Sequence, residues 1–217
     1  MSRAESERRV WDYTVTARPW LCPEVEMRLI THECRLWSMR EEEVHAMGWE
    51  TPFWAFAWPG GQSLARHVLD NPSLVAGRTV LDFGAGGAVE GIAAMKVGAR
   101  RVIASDIDPV AAVAMEVNAG LNGVALEVTT DDLLGRDDPS WEVVLAGDMF
   151  YDAELSERVL AWLGGLARRG ALVLLGDPGR GNVPEGSVET VAWYDAPFDT
   201  DVRGDHLRRT QVARVPR

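Results

Sequence analysis

The sequence predicts an α/β sandwich: a mostly parallel seven-stranded sheet with helices on both faces, closed at one edge by an antiparallel C-terminal hairpin. Three observations predict it. From residue 79 to about 175, short apolar runs alternate with segments of helical apolar spacing, the pattern of successive βαβ crossovers. Glycine and proline punctuate the junctions, with Gly98 just past one helix and Pro109 at the start of the next. The final stretch then changes to two strand-like runs, 187–194 and 207–215, with no helix between them.

In chain order, the first fifty residues carry the weakest pattern. Val25, Met27 and Leu29 alternate with Glu26 and Arg28, as in a short strand, and Glu41, Glu42 and Glu43 with Arg40 read as solvated charge. Residues 61 to about 70 predict a helix over one face of the sheet. Residues 79–83 form a strand ending at glycines, and the helix over 88–97 carries Val89, Ile92, Ala93 and Val97 at helical spacing. A second strand over 101–106 leads to a helix from Pro109 to about Leu121. Strands at 126–129 and 141–146, a helix over 153–166 and a fifth strand at 171–175 complete the alternation. The segment between the third and fourth strands is short for a further crossover helix, so one helical layer is expected to be thin.

Composition bounds the function. The 217 residues are 47% hydrophobic and 25% charged, which excludes disorder and low complexity. A net charge of −11 argues against nucleic-acid and anionic-membrane partners, whose phosphates need clustered Lys and Arg. No run approaches the ~18 apolar residues of a membrane span, and the N-terminus has no apolar segment behind its basic residues. Cys22 and Cys34 make no disulfide framework and, with His32 between them, fit no structural zinc spacing. A reducing, cytoplasmic compartment and no metal are expected.

In open α/β sheets, ligands bind beyond the carboxyl ends of the strands. The first of the seven strands ends Asp82-Phe83-Gly84-Ala85-Gly86-Gly87, where residues without Cβ allow a tight turn and close ligand approach. Asp106 ends the second strand, and a carboxylate there can accept from both hydroxyls of a ribose. The alternative for Asp106 is a helix N-cap, which Asp108 could equally supply. A dinucleotide fingerprint wants a third glycine where Val89 stands. An acid at Asp82 repels a pyrophosphate and attracts the amino group of a methionine moiety. S-adenosylmethionine carries that amino group and a ribose diol, and no phosphate. Either Asp131 or Asp132, past the third strand, is placed to accept from the adenine amine. Asp148 and Tyr151, after the fourth, sit where an amine nucleophile would enter.

At these residues the chain resembles the electron-transfer-flavoprotein β-subunit lysine methyltransferase family of the Rossmann-like class I, seven-strand methyltransferases. The resemblance rests on Pro52-Phe-Trp-Ala-Phe-Ala-Trp-Pro-Gly-Gly61, the glycine turn, Ser105-Asp-Ile-Asp-Pro109, Gly147-Asp-Met-Phe-Tyr-Asp152 and Gly176-Asp-Pro-Gly-Arg180. It extends back to about Pro19. It implies that Trp58 packs on the cofactor and that Gly84, Ala85 and Gly86 pass under the methionine moiety. Asp106 would hold the ribose, Ile107 would stack on adenine and Gly147 would line the floor. Asp148 and Tyr151 fall on an Asp-x-x-Tyr motif used around the target lysine. Many class I sequences have a third glycine at the position of Ala88, where a methyl group should still fit.

The expected organisation is an N-terminal extension on the substrate side (residues 1–50) followed by the methyltransferase domain (51–217). The expected reaction is methyl transfer to a lysine of the flavoprotein β subunit or another lysine-bearing protein, a ribosomal protein included. A small-amine methyltransferase on the same fold is the alternative, followed by a nicotinamide-dependent oxidoreductase or a non-catalytic nucleoside-binding module. Phe53, Trp54 and Phe56 read as core before substrate groove, and Arg180 as a surface arginine or a contact for an acidic partner.

Overall fold

The computed structural model describes residues 1–46, 48–49, 51–197 and 207–217. In chain order the elements are α1 (Arg3–Tyr13), β1 (Val15–Ala17), β2 (Met27–Leu29), α2 (Glu41–Ala46), α3 (Pro59–Asp70), β3 (Thr79–Phe83), α4 (Val89–Lys96) and β4 (Arg101–Ser105). There follow α5 (Pro109–Leu121), β5 (Glu127–Thr129), β6 (Val143–Gly147), α6 (Ala153–Arg168), β7 (Leu172–Asp177), β8 (Glu189–Pro197) and β9 (Leu207–Arg214). Strands β3 to β9 make one sheet in the order β5-β4-β3-β6-β7-β9-β8. Its first five strands are parallel, and β9 runs antiparallel to both β7 and β8. The chain steps outward from β3 to β5 and returns on the other side at β6, so strand order reverses between β3 and β6. That switch opens a crevice at their carboxyl ends.

Side chains alternate across the sheet as a two-residue period requires. Leu81, Phe83, Val144 and Ala146 pack with Val159, Trp162 and Leu163 of α6, while Val80, Val143 and Leu145 pack with Leu64 and Val68 of α3. The segment between β5 and β6 contains no helix. Trp141 and Leu133 fill the space beside α6, and the Trp162 indole donates to the Arg136 carbonyl at 2.7 Å. The expected thin layer is therefore the one that α6 covers. Local chemistry sets the helix ends. Asp108 caps α5 by accepting from Val110 N (2.7 Å), with Pro109 in the first turn, and Asp152 caps α6 by accepting from Leu155 N (2.9 Å).

The N-terminal segment differs from its sequence pattern. A capped helix, α1, precedes an antiparallel pair, β1 and β2. Its Ser2 hydroxyl accepts from Glu5 N, and Arg3–Glu7 and Glu5–Arg9 pair along its exposed face. In β2 the expected alternation fails, because Arg28 is buried along with Met27 and Leu29. Its guanidinium donates to the hydroxyls of Thr14 and Thr16 and to the carbonyls of Trp11 and Thr14, and stacks on the Trp11 ring. Burial is tolerated because those oxygens at the end of α1 replace water. Val10, Cys22, Val25 and Met27 share one apolar core with Val89, Ile92, Val110 and Met115. Asn118 of α5 and Asn122, just past its end, bind the backbone of β2 and of Glu26 beside it.

Helix α3 is seated on the sheet through glycines. A Cβ on Gly176 would overlap the Gly60 carbonyl, and one on Gly147 would come within 2.7 Å of Gly61 Cα. Trp58, the N-cap residue, supplies no side-chain cap to α3. The cap comes from 87 residues away, where Asp148 Oδ2 accepts from Gly61 N at 2.8 Å. Replacing Gly176 with Ala should therefore displace the start of α3 and cost about 1–3 kcal/mol. Chemical denaturation of the parent and of Gly176→Ala checks this; equal stabilities would refute the close seat.

Candidate active site

The turn leaving β3 is built on left-handed backbone. Gly84 and Gly86 have φ of 67° and 52°, and Ala88 has 64°. The methyl of Ala88 is accommodated and fully buried, but its backbone conformation is one that an L-residue adopts at a cost of about 1–2 kcal/mol. This explains physically why glycine suits the position. The Met149 sulfur packs directly against Gly84, and the turn at Phe53–Ala55 lies over Gly86 and Gly87. Asp106 closes the turn from β4: one carboxylate oxygen accepts from Gly86 N (2.9 Å) and the other from Asp108 N (3.0 Å). Because Asp108 supplies the helix cap, Asp106 is left for the crevice. Each of its oxygens keeps a second acceptor position. Ile107 beside it is 73% exposed.

Two buried acids lie beneath the turn. Asp82 Oδ2 accepts from Gly91 N at 2.8 Å, whereas its Oδ1 has no partner. Burial pushes the Asp82 carboxyl up to about 7, opposed by the Gly91 N–H and reinforced by Asp106. Glu90, on the first turn of α4, points under the floor at Gly61 and Gly147. Burial, then Asp82 and Asp148, holds its carboxyl well above the ordinary glutamate range. Glu90 escaped the sequence reading; a lone acid inside the apolar run 88–94 was the available signal.

The tip of β6 forms the second half of the site. Gly147 ends the strand, and Asp148 follows with φ 57°, only 9% exposed. Both Asp148 oxygens are engaged: Oδ2 by Gly61 N, and Oδ1 by Arg180 Nη1 at 2.7 Å. Burial lifts its carboxyl above the usual range, against the lowering effects of Arg180 and Gly61. Arg180 is thus an inward-facing partner, contrary to its reading as a surface residue. Tyr151 is 60% exposed and stacks on Phe53, with ring centroids 6.4 Å apart. Phe53 also meets Trp58 at 6.0 Å, and the Trp58 indole donates to the Phe53 carbonyl at 2.9 Å. The aromatic segment therefore divides. Trp54 is buried core, while Phe53, itself 60% exposed, joins Trp58 and Tyr151 in a wall at the crevice. Tyr151 senses Asp106 electrostatically, so the tips of β4 and β6 converge.

Asp131 and Asp132 stand apart from this cluster in their bonding. Asp131 pairs with Arg136 at 3.1 Å, and Asp132 shapes a turn by accepting from Leu134 N at 2.9 Å. The crevice as a whole suits a ligand with a cationic end and a vicinal diol. The buried, unpartnered Asp82 Oδ1 lacks a donor, and Asp106 has acceptor capacity to spare.

Sheet order, glycine turn and strand-end acid together define a class I methyltransferase fold. The magnesium protoporphyrin IX methyltransferase of Synechocystis, solved with bound SAM, superposes with a TM-score of 0.51 at 17% identity, covering 70% of this chain and 76% of that one. The family described as ribosomal protein L11 methyltransferase (PrmA) matches residues 64–147. The Rattus norvegicus electron transfer flavoprotein beta subunit lysine methyltransferase is 38% identical over 204 residues, covering 91% of this chain and 79% of the rat protein. Its Danio rerio counterpart is 43% identical over 170 residues, covering 77% of this chain. The chain belongs to the electron transfer flavoprotein β subunit lysine methyltransferase family. It spans 65% of the length of the Danio rerio protein.

A carboxyl that keeps its proton longer in the folded chain than in the unfolded one stabilises the fold at low pH. It loses that contribution as pH rises through the folded value. For Asp82 the window runs from the ordinary aspartate range to about 7, and Glu90 acts in the same direction. The ligand-free protein should thus melt lower at about pH 8 than at about pH 5.5, and Glu90→Gln should recover several degrees at the higher pH. Thermal denaturation at both values checks this; a variant that gains nothing at the higher pH would contradict it.

Proposed function

We propose that this protein is an S-adenosylmethionine-dependent protein-lysine N-methyltransferase whose acceptor is the electron transfer flavoprotein β subunit or another lysine-bearing protein. One juxtaposition carries the reading: the Tyr151 hydroxyl and the exposed face of Phe53 stand at the tip of β6, beside the crevice that Asp106 and the glycine turn close. Family membership supports the choice of acceptor. The L11-type match runs from α3 to the end of β6 and stops before Tyr151, so it supports the shared sheet more than a ribosomal acceptor.

In this reading Asp106 holds the ribose, and Ile107 packs on the adenine, whose amine Asp131 or Asp132 accepts. Gly84, Ala85 and Gly86 offer backbone to the methionine moiety and Asp82 takes its ammonium. Gly147 forms the floor and Trp58 a side wall. When bound, S-adenosylmethionine supplies a methyl made electrophilic by its sulfonium. The chain's part is alignment and exclusion of water. Lysine, with an ordinary pKa near ~10.4, arrives charged and must lose a proton before its lone pair can react. Tyr151 orients that nitrogen by hydrogen bonding, and Phe53 and Trp58 desolvate it. Asp148 fixes the corner through α3 and Arg180. Residues 1–50 serve as the substrate-side extension. A surface with net charge −11 suits a basic acceptor over nucleic acid or an anionic membrane. Among the described residues, no helix is long and apolar enough to cross a bilayer. We assign the reaction to the cytoplasm, which suits the unpaired Cys22 and Cys34.

Incubation with methyl-labelled S-adenosylmethionine and the purified flavoprotein β subunit should label lysine, located by mass spectrometry; label confined to small amines would overturn the reading. Asp106→Asn should weaken cofactor binding roughly 10-fold by calorimetry, the loss of charge-assisted acceptors. Tyr151→Phe should lower kcat roughly 10-fold or more while leaving cofactor affinity and Tm nearly unchanged, because the side chain is exposed. Loss of affinity without loss of kcat would reassign Tyr151.

A further inference from the structure

The corner at the tip of β6 is crowded with acids, and Asp106 and Asp152 act electrostatically on Tyr151 beside it. Asp148 follows β6, Glu90 faces it from α4, and Asp177 ends β7, with Asp82 of β3 next to Glu90. Helix α3 adds no charge here, since residues 59–65 hold no ionisable side chain. Among the described residues, the cation set against Asp148 and Asp177 is Arg180. It lies 2.7 Å from Asp148 Oδ1 and acts electrostatically on Asp177. The turn that delivers it is fixed by Gly179, with φ 79°, whose N–H donates to Asp177 Oδ2 at 2.8 Å. Asp148 and Arg180 are both largely withdrawn from solvent, at 10% and 20% side-chain exposure, so their charges are poorly screened.

An unpaired carboxylate beside an incoming ammonium would hold the proton on it, raising the amine's pKa and shrinking the reactive neutral fraction. A guanidinium on that carboxylate removes the effect. We propose that Arg180 is a positioning residue for methyl transfer: by cancelling the charge of Asp148, it makes the corner receptive to lysine as the neutral amine instead of trapping it as the ammonium. The proposal rests on the lysine-methyltransferase reading above. The step it governs is the loss of one proton from the lysine ammonium to water.

The test is a charge series at one position. Arg180→Gln keeps a polar side chain and drops the charge; Arg180→Lys keeps the charge. For methylation of the flavoprotein β subunit, the acid limb of kcat/KM should move to higher pH by about one unit in Arg180→Gln and return in Arg180→Lys. In parallel, calorimetry with S-adenosylhomocysteine present should show Arg180→Gln binding that acceptor protein several-fold more tightly at neutral pH while its kcat falls. An acid limb that stays in place, or Gln and Lys variants that behave alike, would overturn the proposal and leave Arg180 a structural tie. A parent protein that labels no lysine at all would instead refute the underlying reading, an outcome visible before any variant is made.

Discussion

Everything at the mouth of this sheet depends on how closely the start of α3 approaches the strands. Gly60 and Gly61 press against Gly147 and Gly176 with no room for a methyl between them. The helix supplies no cap of its own and takes one from Asp148. That single hydrogen bond joins the second helical layer to the tip of β6, and it aims Asp148 inward at the expense of a left-handed backbone. The aromatic wall follows from the same seat. Trp58 immediately precedes α3, and its indole tethers Phe53 within reach of Tyr151. A residue pair far apart in sequence thus sets the spacing of the glycine-turn crevice and the Asp148 corner together.

The parallel sheet was legible because its signals are local. Apolar runs of strand length, Gly98 and Pro109 each carry their meaning within a few residues. The glycine turn and Asp106 were legible for the same reason, and Asp108 resolved the one ambiguity by capping α5 itself. The N-terminal segment was not. Helix α1 is mostly charged, so no apolar stripe announces it, and Arg28 looks solvent-facing until the carbonyls that end α1 surround it. Glu90 was missed, and Arg180 was read as a surface residue or a partner contact, on different grounds. Each is an ordinary charged residue in its own segment and becomes unusual only when the sheet brings Asp82, Asp148 and Asp177 beside it. Phe53 and Trp54 are neighbours of like composition, and only the short turn that holds them decides which faces the core.

The electrostatic plan is one of concentrated negative charge with sparse compensation. Asp82 and Glu90 are both buried, and burial alone pushes each toward holding its proton. A cationic ligand arriving above them would relieve a penalty already present in the folded chain, which links ligand affinity to the stability of the free protein. The corner at Asp148 uses the opposite device, with a resident cation on its carboxylate. The two neighbouring acid groups therefore differ in one respect: Arg180 balances Asp148, whereas Asp82 Oδ1 has no partner.

Ala88 has a separate consequence. Its methyl sits on left-handed backbone inside the ligand turn, and every alanine codon is one nucleotide from a glycine codon. The turn therefore retains latent stability that a single base change would release, by about 1 kcal/mol once the small void is counted. Random mutagenesis followed by selection for heat resistance would meet that substitution early, at a position directly following the glycine turn.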